Sequence, residues 1–173
     1  MAALMRIGLG YDIHRLKKGR PLWLGGVHIP FAKGLDGHSD ADALLHAITD
    51  ALLGAAALPD IGHYFPPSES RFKGIASATM LARAVAEIRK KKFRVVNVDA
   101  VVIAEAPKVG PHRDAMRKTI AKILKVSIDA IQIKGKTNEG LDAIGRGEAI
   151  AAQAVVLLAP KQRGASLFEG AKR

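Results

Sequence analysis

Val95-Val96-Asn97-Val98-Asp99-Ala100-Val101-Val102-Ile103 is the stretch that decides the fold. Its β-branched side chains suit a pleated, half-buried surface, so residues 93–104 are predicted as a central strand. On its N-terminal side, residues 75–91 read as an amphipathic helix. That helix ends in a cluster of lysines, which the negative C-terminal end of a helix dipole favours. On its other side, residues 111–124 read as a further helix, followed by Ile131-Gln132-Ile133-Lys134, a strand with alternating sides. Towards the N-terminus, residues 7–13 form an opening strand, and residues 21–29 give strand or hairpin material around Gly25-Gly26. Gly34-Leu35-Asp36-Gly37 is a turn. Ser39 or Asp40 is expected to cap a helix running through Ala57 and stopped by Pro59. Residues 60–70, with Gly62 and Pro66-Pro67, form a loop. Residues 148–158 admit two readings, since their alanines favour a helix and Val155-Val156-Leu157-Leu158 favours a strand. The order of elements predicts an α+β fold with helices covering one face of a sheet.

The 173 residues fit one domain, and 49% hydrophobic content argues against wholesale disorder. No window approaches 18 residues free of polar and charged side chains, so no membrane span is expected. The first residues are too short and weakly apolar for a secretory signal, and the cytoplasm is the expected location. Residues 1–5 read as an N-terminal extension, 6–160 as the domain, and 161–173 as a basic tail expected to be disordered. With no cysteine, any metal must be held by nitrogen and oxygen. The net charge of +11 and the run Arg89-Lys90-Lys91-Lys92-Phe93-Arg94 suit a polyanion or a solvated helix end. Five Phe, two Tyr and one Trp are too few for a nucleic-acid stacking platform, so no nucleic-acid partner is expected.

Asp12 and His14, one residue apart on or just beyond a strand, leave the same face. His46 lies on one helical stripe with Asp42 and Asp50. A strand giving two ligands and a helix giving a third can build a tetrahedral Zn²⁺ site with one position open. A capping Asp, a surface His and a core His fit the same spacing. His38 and Ser39 precede the helix, where backbone N–H groups and these side chains suit phosphate, or form a plain capping turn. Asp40 reads as a cap, whereas Asp42 can support the metal ligands or bind a substrate hydroxyl. Lys134-Gly135-Lys136-Thr137-Asn138-Glu139-Gly140 follows a strand directly and is either a diphosphate and Mg²⁺ cradle or a solvated turn. It lacks the Walker A spacing. There Glu139 can bind a hard cation, and Arg146 can clamp a transferring phosphoryl group. Ala104-Glu105-Ala106-Pro107-Lys108 closes the central strand and can wall a pocket.

In collinear order, five stretches resemble the 2-C-methyl-D-erythritol 2,4-cyclodiphosphate synthase family. They are residues 6–14, Gly37-His38-Ser39-Asp40-Ala41-Asp42 through His46 and Asp50, Asp60-Ile61-Gly62 with Phe65-Pro66, Ala106-Pro107-Lys108, and Thr137-Asn138-Glu139-Gly140 with Gly145-Arg146. The resemblance implies a ferredoxin-like mixed sheet with helices on one face, assembled as a homotrimer around packed sheets, with active sites between subunits. It also implies cyclisation of 4-diphosphocytidyl-2-C-methyl-D-erythritol 2-phosphate: the 2-phosphate attacks the β-phosphorus and CMP leaves. Carried over by position, Asp12, His14 and His46 hold Zn²⁺, and Glu139 holds a second cation, Mg²⁺ or Mn²⁺. Asp12, His14, His38 and Ser39 meet phosphate, while Asp60, Ile61, Gly62 and Glu69 meet the methylerythritol portion. Ala104, Ala106, Pro107 and Lys108 receive the cytosine, and Lys136, Thr137, Asn138, Glu139 and Arg146 meet the diphosphate. His38, Thr137, Glu139 and Arg146 are the expected catalytic side chains. Three departures stand out: Gly135-Lys136 replaces a small-hydroxyl pair, Asp142-Ala143 replaces Gly-Phe on the axial channel, and Glu69-Ser70 replaces Asp-Pro. The rival readings are a metal-dependent phosphohydrolase, in which water attacks instead, and a basic nucleic-acid-binding protein.

Overall fold

The structure is a computed structural model that describes residues 4–161. Strand β1 (Arg6–Lys18) is followed by three short strands, β2 (Leu22–Leu24), β3 (Val27–Ile29) and β4 (Lys33–Leu35). Then come helices α1 (Ala43–Ala55), α2 (Ile61–Tyr64) and α3 (Ser77–Lys90), strand β5 (Phe93–Ile103), helix α4 (Arg113–Leu124), strand β6 (Ile131–Lys136), helix α5 (Asp142–Gly145) and strand β7 (Ala149–Pro160). The main sheet has the order β4-β1-β7-β5-β6. It is antiparallel except for the β5–β6 pair, which α4 connects. Residues 148–158, open between helix and strand, thus resolve as β7. From Ala152 to Leu158 its even positions are buried and Gln153 and Val155 exposed, the two-residue period of a strand.

The sheet needs small residues on its inner face because α1 lies directly on it. A Cβ added to Gly8 would come within 1.9 Å of the Ala51 carbonyl oxygen, and one added to Gly10 within 1.9 Å of that of Ala47. Ala47, Ala51 and Ala55 on the helix meet these glycines, and the alanines of β7 serve the same close approach. Only Asp50 and Gly54 of α1 escape burial, so this helix is the centre of the core rather than a surface element. Leu44, Leu45, Ile48, Leu52 and Leu53 are fully buried, each worth about 1.5–3 kcal/mol relative to exposure. Helix α3 covers the outer side of α1, and α4 packs against β6 and α3.

Among the described residues, nothing covers the opposite face of the sheet. Ile7 and Leu9 are 73% and 68% exposed, and Tyr11, Ile13 and Val155 continue the apolar surface.

Three boundaries differ from expectation. Helix α1 starts at Ala43 and is capped by Asp42, whose carboxylate accepts from Leu45 N–H. Ser39 and Asp40 are not its caps, because Ala41 has a φ of +57° and interrupts any helix begun earlier. Gly34 and Leu35 belong to β4 and pair with Lys17 and Leu16, so the turn is shorter than expected. The 60–70 loop contains α2, capped by Asp60 through His63 N–H at 3.0 Å. The first three residues of the expected extension, and the expected tail apart from Lys161, lie outside the described residues.

Candidate metal centre and phosphate site

Asp12 and His14 continue the α1-facing side of β1 beyond Gly10, and His46 stands in the first turns of α1. The close crossing allowed by Gly8 and Gly10 therefore brings a strand and a helix together at three ligand atoms. Asp12 Oδ2 lies 2.9 Å from both His14 Nε2 and His46 Nδ1, and the two nitrogens are 3.2 Å apart. With bonds of 2.0–2.1 Å, the edge of a tetrahedron around Zn²⁺ is about 3.3 Å. The triangle is slightly tighter than one face of that tetrahedron, and its donor set suits a divalent cation.

The hydrogen bonds around the triangle agree with that fit. His14 Nδ1 donates to the Asp36 carbonyl at 2.8 Å, which leaves Nε2 of the neutral ring as a bare ligand. Burial alone would raise the Asp12 pKa, but His14 and His46, when protonated on the nitrogens that face it, outweigh burial and hold the carboxyl far below its ordinary range. For His14 burial acts downward, and the Asp12 carboxylate overrides it to raise the imidazole. The centre thus concentrates negative charge and lone pairs where a cation belongs. On the far side of His46, Nε2 is 2.8 Å from Ser77 Oγ and 3.3 Å from Ser39 Oγ.

The remaining acidic residues of this region have structural partners. Asp42 is wholly buried; burial raises its pKa, opposed by N–H bonds from Gly26 at 2.6 Å, Gly25 at 2.9 Å and Leu45 at 3.0 Å. It clamps the β2–β3 turn to α1 and does not face the metal triangle. Gly25 and Gly26 have φ of +60° and +73°, which this two-residue hairpin requires. Asp40 accepts both the N–H and the Oγ–H of Ser77 and so holds the start of α3. Asp50 Oδ1 accepts Ile61 N–H at 2.8 Å and anchors α2, and burial raises its pKa.

A cavity of about 160 Å³ opens over the triangle. His14, His38, Ser39 and His46 line it together with Ile61, Gly62 and Glu69. Phe65, Pro67, Phe72, Lys73 and Met80 complete the wall. Asp60, the α2 cap, is exposed and outside this lining. Ser39 is buried, with its Oγ accepting Ala41 N–H at 2.9 Å, whereas His38 is exposed.

The other expected site residues form a separate cluster. Ala104, Pro107 and Lys108 face Gly135, Lys136 and Thr137 across a cavity of about 310 Å³, and Ala106 is exposed beside it. Cross-strand pairing places Asp12 beside Ala152, Ala152 beside Val102, and Val102 beside Gly135. Three strand spacings, about 14 Å, thus separate the two clusters along the sheet. Glu139 and Arg146 do not join the metal triangle within one chain. Thr137 donates to Glu139 Oε1 at 2.7 Å, and Arg146 forms a two-point ion pair with Glu148 at 3.0 and 3.2 Å.

Three residues important to this geometry carry little local signal: Asp36, Ser77 and Glu105. Glu105 Oε1 accepts from Asn138 N at 2.9 Å and Gly140 N at 3.4 Å, gripping the turn on either side of Glu139, whose φ is +51°. A carboxylate beside the candidate pocket wall is visible in sequence, but its reach to a turn more than 30 residues later is not. Asp142, one of the departures, is the first residue of α5; its Oδ1 accepts Ile144 N–H at 2.7 Å and its Oδ2 accepts from Asn138 Nδ2 at 2.8 Å.

Comparison with known proteins gives one consistent result. Residues 5–159 match the model of the YgbB family. The 2-C-methyl-D-erythritol 2,4-cyclodiphosphate synthase of Desulfosudis oleivorans is 53% identical over 96% of this chain and 99% of its own. That of Chromobacterium violaceum is 60% identical over 90% of this chain and 99% of its own. A solved 2C-methyl-D-erythritol-2,4-cyclodiphosphate synthase in a CDP-bound form superposes with a TM-score of 0.82 at 41% identity, covering 88% of this chain and 99% of that one.

Proposed function

This chain belongs to the YgbB family and catalyses the 2-C-methyl-D-erythritol 2,4-cyclodiphosphate synthase reaction, and from that premise we propose how its residues divide the work. It is a lyase: the 2-phosphate of 4-diphosphocytidyl-2-C-methyl-D-erythritol 2-phosphate attacks the β-phosphorus of the same molecule, and CMP leaves. No protein nucleophile is needed, because the attacking oxygen belongs to the substrate. The chain's task is to hold the two phosphates in line and offset their charge.

The observation that carries the assignment is the Asp12–His14–His46 triangle, two of whose members, His14 and His46, line a cavity. These residues would hold Zn²⁺, and Glu139 would hold Mg²⁺ or Mn²⁺. When bound, the two cations polarise phosphate oxygens and offset charge as it develops. His38 and Ser39 orient the 2-phosphate at the cavity wall, and Asp60, Ile61, Gly62 and Glu69 position the methylerythritol. Ala104, Ala106, Pro107 and Lys108 receive the cytosine, while Lys136, Thr137, Asn138 and Arg146 contact the diphosphate. Arg146 can do so only by leaving or sharing its pairing with Glu148.

The assembly is a homotrimer of ferredoxin-like subunits with shared active sites. Two observations support this. The exposed apolar row Ile7, Leu9, Tyr11, Ile13 and Val155 is a surface suited to burial against other subunits. The metal cluster and the 104–108 cluster, about 14 Å apart within one chain, belong to one substrate if neighbouring subunits contribute one each. The domain runs over 6–160, and its location is the cytoplasm; among the described residues no helix is long and apolar enough to cross a membrane.

His46→Ala tests the centre. The expected result is loss of tightly bound zinc together with loss of the cyclic product. A folded variant that keeps both its zinc and its turnover overturns the assignment.

A further inference from the structure

We propose that Ser77 and Asp40 are positioning residues for the metal centre: they hold the proton of His46 on Nε2, so that Nδ1 is presented bare to the cation. The proposal rests on the reading of Asp12, His14 and His46 as metal ligands.

Two hydrogen-bond partners compete for the single proton of neutral His46. Its Nδ1 faces Asp12 Oδ2 at 2.9 Å. In the metal-free protein, the most favourable arrangement for that pair alone is a proton on Nδ1 donated to the carboxylate. Such a ring cannot bind metal through Nδ1 until the proton moves. A neutral imidazole carries its single proton on one nitrogen only, so whatever stabilises a proton on Nε2 disfavours the blocked form.

The far side of the ring supplies that stabilisation, and the chemistry fixes its direction. A carboxylate has only acceptors, so at Asp40 the hydroxyl of Ser77 must be the donor. With its hydrogen committed there, Ser77 Oγ offers only lone pairs to His46 Nε2, 2.8 Å away. The ring nitrogen must therefore donate. The chain His46 Nε2–H to Ser77 to Asp40 has one polarity, and that polarity leaves Nδ1 free.

The relay is also held rigidly. Ser77 has no exposed surface. Asp40 accepts the Ser77 backbone N–H through both oxygens at 3.1 Å, so the carboxylate is anchored to the residue whose hydroxyl it orients. Ser39 Oγ, at 3.3 Å from the same nitrogen, is a longer contact and already accepts Ala41 N–H. His14 has the simpler counterpart, a single bond from Nδ1 to the Asp36 carbonyl. The two imidazoles thus present opposite nitrogens to the cation, each set by a partner on its other side. Outer partners of metal-bound histidines contribute about 10–100-fold in affinity.

The test is zinc affinity by chelator competition, read together with the ¹⁵N shifts of the histidine rings in zinc-free protein. Ser77→Ala is expected to bind zinc about 10–100-fold more weakly and to move the His46 proton from Nε2 towards Nδ1. Ser77→Thr, which keeps the hydroxyl, restores both readouts. Asp40→Asn, which removes the charge but keeps an oxygen acceptor beside Ser77, shifts both in the direction of Ser77→Ala and carries the test if Ser77→Ala does not fold. Unchanged affinity overturns the proposal, and so does weakened binding with the proton still on Nε2, which marks a packing effect only. Wild-type protein that binds no zinc instead refutes the underlying metal assignment.

Discussion

His14 Nε2 and His46 Nδ1 stand 3.2 Å apart, although one residue lies on a strand and the other follows 32 positions later on a helix. Two ring nitrogens and a carboxylate oxygen meet there because β1 and α1 cross at glycine, closer than any side chain would permit. The metal centre is therefore a consequence of how the core packs, so changes in packing and changes in chemistry act on it together.

Metal-free and metal-loaded protein should respond to pH in opposite directions. The His14 pKa is raised in the folded metal-free chain, so the folded state binds more protons than the unfolded one. Its stabilisation is complete below the unfolded value of about 6.5 and is lost as pH rises through the raised value. Asp12 has a lowered pKa, so its contribution is present above about pH 3.9 and lost only on strong acidification. Over the window just above pH 6.5, the melting temperature of chelator-treated protein should therefore fall as pH rises. Zinc affinity should rise over the same window, since zinc displaces that proton. Differential scanning calorimetry and zinc titration between pH 6 and 8 check both slopes; parallel slopes refute the account.

Gly10→Ala should destabilise the fold and disturb the metal centre at once. The added methyl would sit 1.9 Å from the Ala47 carbonyl and 2.8 Å from the Ala51 nitrogen, both backbone atoms of α1. The helix must move away, at a cost of about 1–3 kcal/mol or more. His46 moves with it, so zinc affinity should fall although no ligand is changed. Denaturant melts and chelator competition measure the two effects; a stable variant with normal zinc binding contradicts the proposed crossing.

How much of this was legible in the sequence depends on how local each cause is. The strand 93–103 is written in its β-branched run. β7 is ambiguous because its alanines answer to the helix lying on them, not to strand propensity. At the start of α1 the sequence points to Ser39 or Asp40 as the cap, and the structure uses Asp42. Ser39 engages Ala41 and His46, Asp40 engages Ser77, and only Asp42 is left to cap, choices fixed by contacts up to 37 positions away. Asp12, His14 and His46 were visible as ligand types on plausible faces, but Ser77 was one more serine at a helix start. The division into two clusters about 14 Å apart depends on sheet order, which no local pattern states.

Glu105→Ala should loosen the turn that carries Glu139. The variant removes the acceptor of Asn138 and Gly140 N–H, leaving the left-handed backbone of Glu139 without its clamp. Because Glu105 touches neither the triangle nor its cavity lining, zinc content should be unchanged. The Mg²⁺ concentration needed for half-maximal turnover should rise, by about tenfold for the loss of one or two hydrogen bonds. Glu105→Gln keeps an oxygen acceptor and should fall near wild type. If zinc is lost and the Mg²⁺ dependence is unmoved, Glu105 does not act through this turn.

The separation of the two clusters leads to the last prediction, a subunit-mixing experiment. His46→Ala disables the metal cluster and Glu139→Ala the residue proposed for the second cation, so each variant assembled alone should be nearly inactive. If a site takes its metal triangle from one subunit and its 104–108 and 137–139 residues from a neighbour, co-assembly generates some interfaces with both intact halves. Mixing after dissociation, or co-expressing the two chains, should then recover a measurable fraction of cyclic product and CMP. If each subunit bent its own two clusters around the substrate, every site would carry one lesion and mixing would recover nothing. Sedimentation of the mixture confirms that the chains have exchanged, which makes a null activity result decisive against shared sites. A Leu9→Glu change placed on the exposed apolar face of both chains serves as the control. It should prevent assembly and abolish the recovery, while leaving the metal triangle, on the other side of β1, untouched.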